Sequence, residues 1–172
     1  MPKRLRYLVD ANVLMEAKRR YYRFGLCPGF WKCLSWQHKQ GVVGSIDKVK
    51  AEIEEGKDDL AHWVKRSCPK TFFAASTDPK VAGEYGRIMA WVQSQARYSA
   101  AAKAEFAQAA DGWLVAYAKV SGLVVVTHEA PAPESRKEVK IPDVCNQFNV
   151  PYVDTFDMLE DMNTEFTWES PK

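Results

Sequence analysis

Tyr7-Leu8-Val9-Asp10-Ala11-Asn12-Val13-Leu14 is the stretch on which the fold turns. Tyr7-Leu8-Val9 reads as a short apolar strand, Asp10 ends it, and a helical pattern follows Asn12. An acidic residue at the carboxyl end of a buried parallel strand sits where open α/β sheets place their ligands. Asp10-Ala11-Asn12 is therefore the first candidate for a metal-binding active site, and the rest of the chain is expected to supply further carboxylates.

Outward from that strand, short β-branched or aromatic runs recur at Leu5 to Val9, Val42 to Gly44, Thr71 to Ala74, Leu123 to Val126 and Tyr152-Val153. Helical stretches are expected at Val13 to Tyr21, Gly29 to Lys39, Ile46 to Glu55, Asp58 to Arg66, Pro79 to Gln95, Ser99 to Ala109, Asp111 to Ser121 and Pro142 to Phe148. Alternating β and α elements predict a parallel sheet covered on both faces. Glu129-Ala130-Pro131-Ala132-Pro133-Glu134 reads as a Pro-rich surface loop, and the chain from about Asn163 reads as a frayed acidic tail. One domain over residues 1–162, followed by that tail at 163–172, is the expected organisation.

Composition narrows the function classes. The chain has 172 residues, 47% of them hydrophobic, enough for one substantial core and without the signature of disorder. No apolar run approaches the roughly 20 residues that cross a bilayer, and Met1-Pro2-Lys3-Arg4-Leu5-Arg6 lacks the apolar core of a signal peptide. A cytoplasmic protein without a membrane span is expected. Cys27, Cys33, Cys68 and Cys145 form no CxxC pair, and His38, His62 and His128 are isolated, which predicts ordinary reduced thiols rather than zinc ligands or disulfides. HExxH, GxGxxG and GxxxxGK[ST] are all absent, so the zinc hydrolase, dinucleotide and P-loop readings lose their main support.

Charge is unevenly divided. Residues 1–70 carry 15 Lys and Arg against 8 Asp and Glu, whereas residues 71–172 carry 9 against 14, so the first part is the basic, anion-facing one. Its densest patch is Lys18-Arg19-Arg20-Tyr21-Tyr22-Arg23-Phe24, where cations interleave with aromatics able to stack on unpaired bases. The alternative is a solvated helix end whose aromatics pack inward. Position favours nucleic acid, because the patch begins eight residues after Asp10.

Four further acids are candidates. Ile46, Val49 and Ile53 define a buried stripe; Glu52 and Glu54 flank it, and periodicity alone does not choose between them. Asp111 opens Asp111-Gly112-Trp113-Leu114-Val115-Ala116-Tyr117-Ala118, a segment apolar on nearly all faces, beside which a charge demands a partner. The plain alternative for Asp111 is a helix-capping or dipole role. Val126-Thr127-His128-Glu129 follows the second strongly apolar strand and brings Thr127 and Glu129 to the same kind of position as Asp10. Carboxylates gathered in one cleft cannot all stay ionised without a cation, and oxygen ligands suit Mg²⁺ or Mn²⁺. Such a centre favours phosphoryl transfer with an activated water.

The ordered set Leu8-Val9-Asp10-Ala11-Asn12, Val49-Lys50-Ala51-Glu52-Ile53, Ala110-Asp111-Gly112-Trp113-Leu114-Val115-Ala116 and Val125-Val126-Thr127-His128-Glu129 resembles the PIN-domain ribonucleases. It is similar in particular to the toxins of type II toxin-antitoxin pairs, the VapC type, in a longer branch. The resemblance spans about residues 5 to 160. It implies a PIN-like three-layer α/β/α sandwich around a parallel sheet, with an acidic pocket for one or two Mg²⁺ or Mn²⁺ ions. It further implies that Asp10 and Asp111 are direct metal ligands with Glu52 as the third acid, that Asn12 orients Asp10, and that Thr127 hydrogen-bonds within the pocket. The family commonly has Thr-x-Asp where this chain has Thr127-His128-Glu129; Glu129 or, in its place, Asp143 completes the acids.

The implied activity is an endoribonuclease that cleaves single-stranded RNA by water attack on a phosphodiester, leaving a 5′-phosphate and a 3′-hydroxyl. Lys18, Arg19, Arg20 and Arg23 would hold the RNA backbone, with Lys48 and Lys50 as lesser contributors. An antitoxin protein covering the pocket and a homodimer are the partners implied. Two other functions fit the same residues: a PIN-fold RNA- or protein-binding module without turnover, and a metal phosphohydrolase acting on a small phosphate ester.

Overall fold

A computed structural model describes residues 6–172 of the chain; Leu5, the first residue of the expected strand, and the start of the expected 1–162 domain lie outside the described residues. Five short strands form one sheet: β1 (Tyr7–Val9), β2 (Val43–Ile46), β3 (Phe73–Ala74), β4 (Val124–Val126) and β5 (Tyr152–Val153). Their order is β3-β2-β1-β4-β5 and every pair is parallel. Tyr7, Leu8 and Val9 pair with Val124, Val125 and Val126, while Tyr7 and Leu8 pair with Val43 and Gly44 on the other side. β1 and β2 are buried along their whole length, as their apolar sequences require in a sheet covered on both faces.

Helices fill the connections: α1 (Ala11–Glu16) with a π-helical turn at Ala17–Tyr21, α2 (Pro28–Lys39), α3 (Asp47–Glu55), α4 (Asp59–Arg66), α5 (Pro79–Ser94), α6 (Ala100–Gln108), α7 (Asp111–Ser121), α8 (Ile141–Phe148) and α9 (Thr155–Asp161). The architecture is the three-layer α/β/α sandwich expected from the alternation of elements. Local chemistry sets the helix ends. Asp58, Asp78, Ser99 and Asp154 each cap an N-terminus through a side-chain oxygen. Gly122, at φ 67°, ends α7 in the left-handed conformation that glycine adopts without strain. Phe30, Leu14, Leu34, Ile88, Leu114, Ile141 and Met158 are among the large side chains fully buried between the layers. Each such burial contributes roughly 1.5–3 kcal/mol.

The strand order has one decisive consequence. The chain runs from β1 outward to β2 and β3, then returns to place β4 on the opposite side of β1. The carboxyl ends of β1 and β4 therefore flank the topological switch point, where open parallel sheets form their binding crevice. Asp10 leaves β1 and Thr127 leaves β4 at that point. The ladder continues into it: the Asp10 amide donates to the Val126 carbonyl (2.9 Å) and the Thr127 amide to the Val153 carbonyl (3.0 Å). Ser45 on β2 donates its hydroxyl to the Val9 carbonyl at 2.7 Å, fixing the end of β1 from the other flank.

Several boundaries differ from the sequence reading. The helix expected at Val13 to Tyr21 begins at Ala11 and changes to a π turn after Glu16. Ile46, expected to start a helix, ends β2 instead, together with the unassigned Ser45, and α3 begins at Asp47. α9 has no counterpart among the expected elements. The segment from Asn163 has no regular secondary structure, but its first part is not frayed: Thr164 Oγ1 lies 3.7 Å from Cys33 Sγ and the Phe166 ring packs against Tyr22 and Phe30. All four cysteines are free thiols. No helix among the described residues is long and apolar enough to cross a membrane.

Candidate active site

The crevice at the switch point opens into a cavity of about 750 Å³ lined by Asn12, Glu52, Asp111, His128, Glu129 and Lys140, among others. Asp10, at the end of β1, is buried at 2% exposure, does not itself line the cavity, and accepts a hydrogen bond from the Thr127 hydroxyl at 3.2 Å. Although Asp10 occupies the N-cap position of α1, its side chain makes no capping bond. Burial pushes its carboxyl up to about 7, with the negative charges of Glu129 and then Glu52 adding to the rise. The Thr127 hydroxyl and the Ala11 amide oppose it.

Asp111 reaches the same centre from the first turn of α7. No side chain caps that helix, so the helix-capping alternative has no hydrogen bond behind it. Burial raises the Asp111 carboxyl well above the ordinary carboxylate range, followed by the charges of Asp10, Glu129 and Glu52; Lys140 acts in the opposite direction. Glu52 is half-buried on α3, and burial raises it while the Ala110 amide holds it down. The choice between Glu52 and Glu54 is thereby resolved: Glu52 lines the cavity, whereas Glu54 faces Lys50 at 4.0 Å.

Glu129 reaches the centre by folding back. Its own amide donates to the Thr127 hydroxyl (3.2 Å), and its Oε2 accepts from the Ile141 amide (2.7 Å) at the start of α8. Burial is the main cause that raises its carboxyl. Asp143 is otherwise engaged: both carboxylate oxygens accept from the Ala132 amide, at 3.2 and 3.0 Å, and the residue faces a separate cleft beside Trp91 and Arg97. Glu129, not Asp143, is the acid that joins Asp10, Asp111 and Glu52. Asn12 lines the cavity as an exposed residue, but the hydrogen bond to Asp10 comes from Thr127.

The four acids repel one another with Lys140 as the opposing cation, and all their donors are oxygens. In charge and donor type they suit a hard divalent cation of the magnesium or manganese kind. Among the described residues no group of three or more His, Cys, Asp or Glu side chains is placed to hold a metal ion.

The basic candidates divide into three groups. Lys18 is held by Asp58 (2.7 Å) and Asp59 (2.9 Å), Arg20 pairs with Glu16 (3.1 Å), and Arg23 donates to the Arg19 carbonyl (3.0 Å). Arg19, Arg20 and Arg23 remain exposed. Lys48 sits 5.3 Å from the centre of the Trp113 ring, which stacks on Tyr85. Those residues lead to a second cleft of about 600 Å³ that shares Glu52, Glu105 and Ala109 with the first. Of the four acids, Glu52 stands where these two clefts meet.

A family model matches residues 7–166, nearly the whole chain, under the description "Domain of unknown function (DUF4411)". The chain belongs to that family. No curated protein matches it. The DUF4411 match begins with β1 and ends on Phe166, so the packed part of the C-terminal segment lies inside the domain.

Lys140, His128 and Glu16 were not foreseen as cavity residues. Lys140 has a sequence signal, a cation directly before the Ile141-Pro142 helix start, whereas Glu16 has none. A packing constraint fixes the neighbouring backbone. A Cβ on Gly112 would lie 3.0 Å from the Tyr85 ring and 3.2 Å from Phe106. Gly112→Ala is expected to lower stability by about 1–3 kcal/mol, read as a lower urea midpoint; an unchanged midpoint would contradict this close approach.

Proposed function

We propose that this protein is a metal-dependent endoribonuclease of the PIN type that cleaves single-stranded RNA. The observation that carries the reading is the clustering of Asp10, Asp111, Glu52 and Glu129 at the switch-point crevice, near enough for their charges to raise the Asp10 and Asp111 carboxyls. A second cleft adjoins this cavity at Glu52, Glu105 and Ala109 and extends to Lys48 and Trp113, a length of surface that favours a polymer over a small phosphate ester.

Asp10, Asp111 and Glu52 would hold the Mg²⁺ or Mn²⁺, with Glu129 as the fourth acid. When bound, such an ion lowers the pKa of a water and neutralises charge on the phosphate oxygens. Thr127 fixes the Asp10 carboxylate by hydrogen bonding and Ile141 fixes Glu129, so two of the four acids are pre-oriented by neutral groups. Lys140 lines the cavity wall, where it is paired with Glu138 at 2.8 Å. The expected products carry a 5′-phosphate and a 3′-hydroxyl.

The test is incubation of total cellular RNA with the protein and Mg²⁺ or Mn²⁺, followed by mapping of new ends. Discrete 5′-phosphate ends support the reading. Hydrolysis of p-nitrophenyl phosphate with intact RNA would replace it with the phosphohydrolase reading, and RNA retention without cleavage would replace it with the binding module. A toxin role, with an antitoxin protein covering the crevice and a homodimeric assembly in the cytoplasm, belongs to the same proposal and rests on the resemblance alone.

The exposed arginines are the better candidates for the RNA backbone. Replacing Arg19 and Arg20 together with Ala should weaken RNA binding and reduce the salt slope by about 1 to 2. Lys18→Ala should have a smaller effect, because Asp58 and Asp59 already neutralise that lysine. Equal loss from Lys18→Ala would contradict this division.

A further inference from the structure

We propose that Tyr21, His128 and Phe156 form a stacking subsite for one unpaired base of the strand that enters the acidic crevice; the proposal rests on the nuclease reading. The three rings come from three separate elements: the π turn after α1, the segment after β4, and α9. Their centroids lie 5.5 Å (Tyr21 to Phe156), 5.9 Å (His128 to Phe156) and 6.5 Å (Tyr21 to His128) apart. Tyr21 is 52% and Phe156 40% exposed, so aromatic area is left open to solvent beside a cavity that His128 itself lines. The His128 ring is fixed by a 2.9 Å hydrogen bond between its Nε2 and the Thr155 hydroxyl.

The π turn accounts for the outward position of Tyr21. The Tyr22 amide donates to the Ala17 carbonyl at 2.8 Å, five residues back, so Tyr22 rather than Tyr21 follows the buried Ala17 inward. Tyr22 accordingly stacks on Phe30 with centroids 4.4 Å apart. An uninterrupted α-helix would align Tyr21 with Ala17 and turn it toward the core. The irregular turn thus leaves Tyr21 exposed beside His128 and delivers the next residue, Tyr22, to the interior.

The occupant is chosen by the chemistry around the rings. Arg19 and Arg20 stand exposed on the same turn, offering cations to phosphates next to an aromatic surface for a base. A base within a duplex has no free face to present, so the subsite selects an unpaired nucleotide.

Asp111→Asn protein in Mg²⁺ is mixed with single-stranded oligoribonucleotides carrying 2-aminopurine at each position in turn. Quenching concentrated at one position is expected, and Tyr21→Ala and Phe156→Ala should each abolish it and weaken binding about tenfold. Tyr21→Phe should retain both. Binding unchanged by either alanine variant, quenching at no position, or no oligonucleotide binding at all would overturn the subsite. Metal-dependent RNA cleavage by the wild type is measured alongside. Cleavage that persists when the subsite fails leaves the nuclease reading standing, whereas its absence removes that reading itself.

Discussion

Asp111→Asn should fold normally and lose RNA cleavage by at least about a thousandfold, a loss of the size expected when a group acting directly on the reacting centre is removed. The carboxylate of Asp111 is held above its ordinary range by burial and by Asp10, Glu129 and Glu52. Removing its charge relieves repulsion among the acids, so the variant is expected to be at least as stable as the wild type without metal. A destabilised and inactive variant would point instead to a structural role. Circular dichroism melting and cleavage assays on the same preparation separate the two, and normal cleavage by a folded Asp111→Asn protein would remove the centre from the mechanism.

The second large effect is on stability. The Asp10 carboxyl is raised in the folded protein to about 7, above the value near 3.9 of an unfolded chain. Between those two values the folded state binds more protons than the unfolded state, so stability falls as pH rises. For a group this deeply buried the change is on the order of a few kcal/mol, or roughly 5 to 10 °C in melting temperature for a chain of this size. Metal-stripped protein should therefore melt higher at pH 5 than at pH 8. Mg²⁺ or Mn²⁺ should recover the loss at pH 8 and have little effect at pH 5, because the acids must be ionised to bind it. Asp10→Asn should flatten the metal-free pH dependence. A melting temperature that rises from pH 5 to 8 without metal would contradict the assignment of Asp10 as a buried, like-charged acid.

Strand cores and most helices were readable because their signals are local. Val124-Val125-Val126 is apolar on every residue, and the Asp58 and Ser99 caps mark helix starts through short-range hydrogen bonds. Asp10, Asp111 and Thr127 were legible for a related reason, since each directly adjoins an apolar run. The remainder depends on tertiary contact. Glu52 and Glu54 are equivalent by periodicity, and only the meeting of α3 with the start of α7 distinguishes them. Sequence puts Glu129 first and keeps Asp143 as its substitute, and the return of the Pro-rich loop gives Asp143 to the Ala132 amide and leaves Glu129 at the cavity. α9 escaped notice because seven residues with buried Thr155, Met158 and Leu159 carry too short a pattern. The π turn is likewise invisible to a 3.6-residue template.

The most direct test of the central claim is cleavage of a single-stranded RNA by metal-stripped protein, followed by addition of Mn²⁺ or Mg²⁺. The acidic crevice predicts no cleavage in chelator and restored cleavage, with new 5′-phosphate ends, when the divalent ion is returned. Cleavage at the same rate in chelator, or none from folded, partner-free protein supplied with metal, would contradict it.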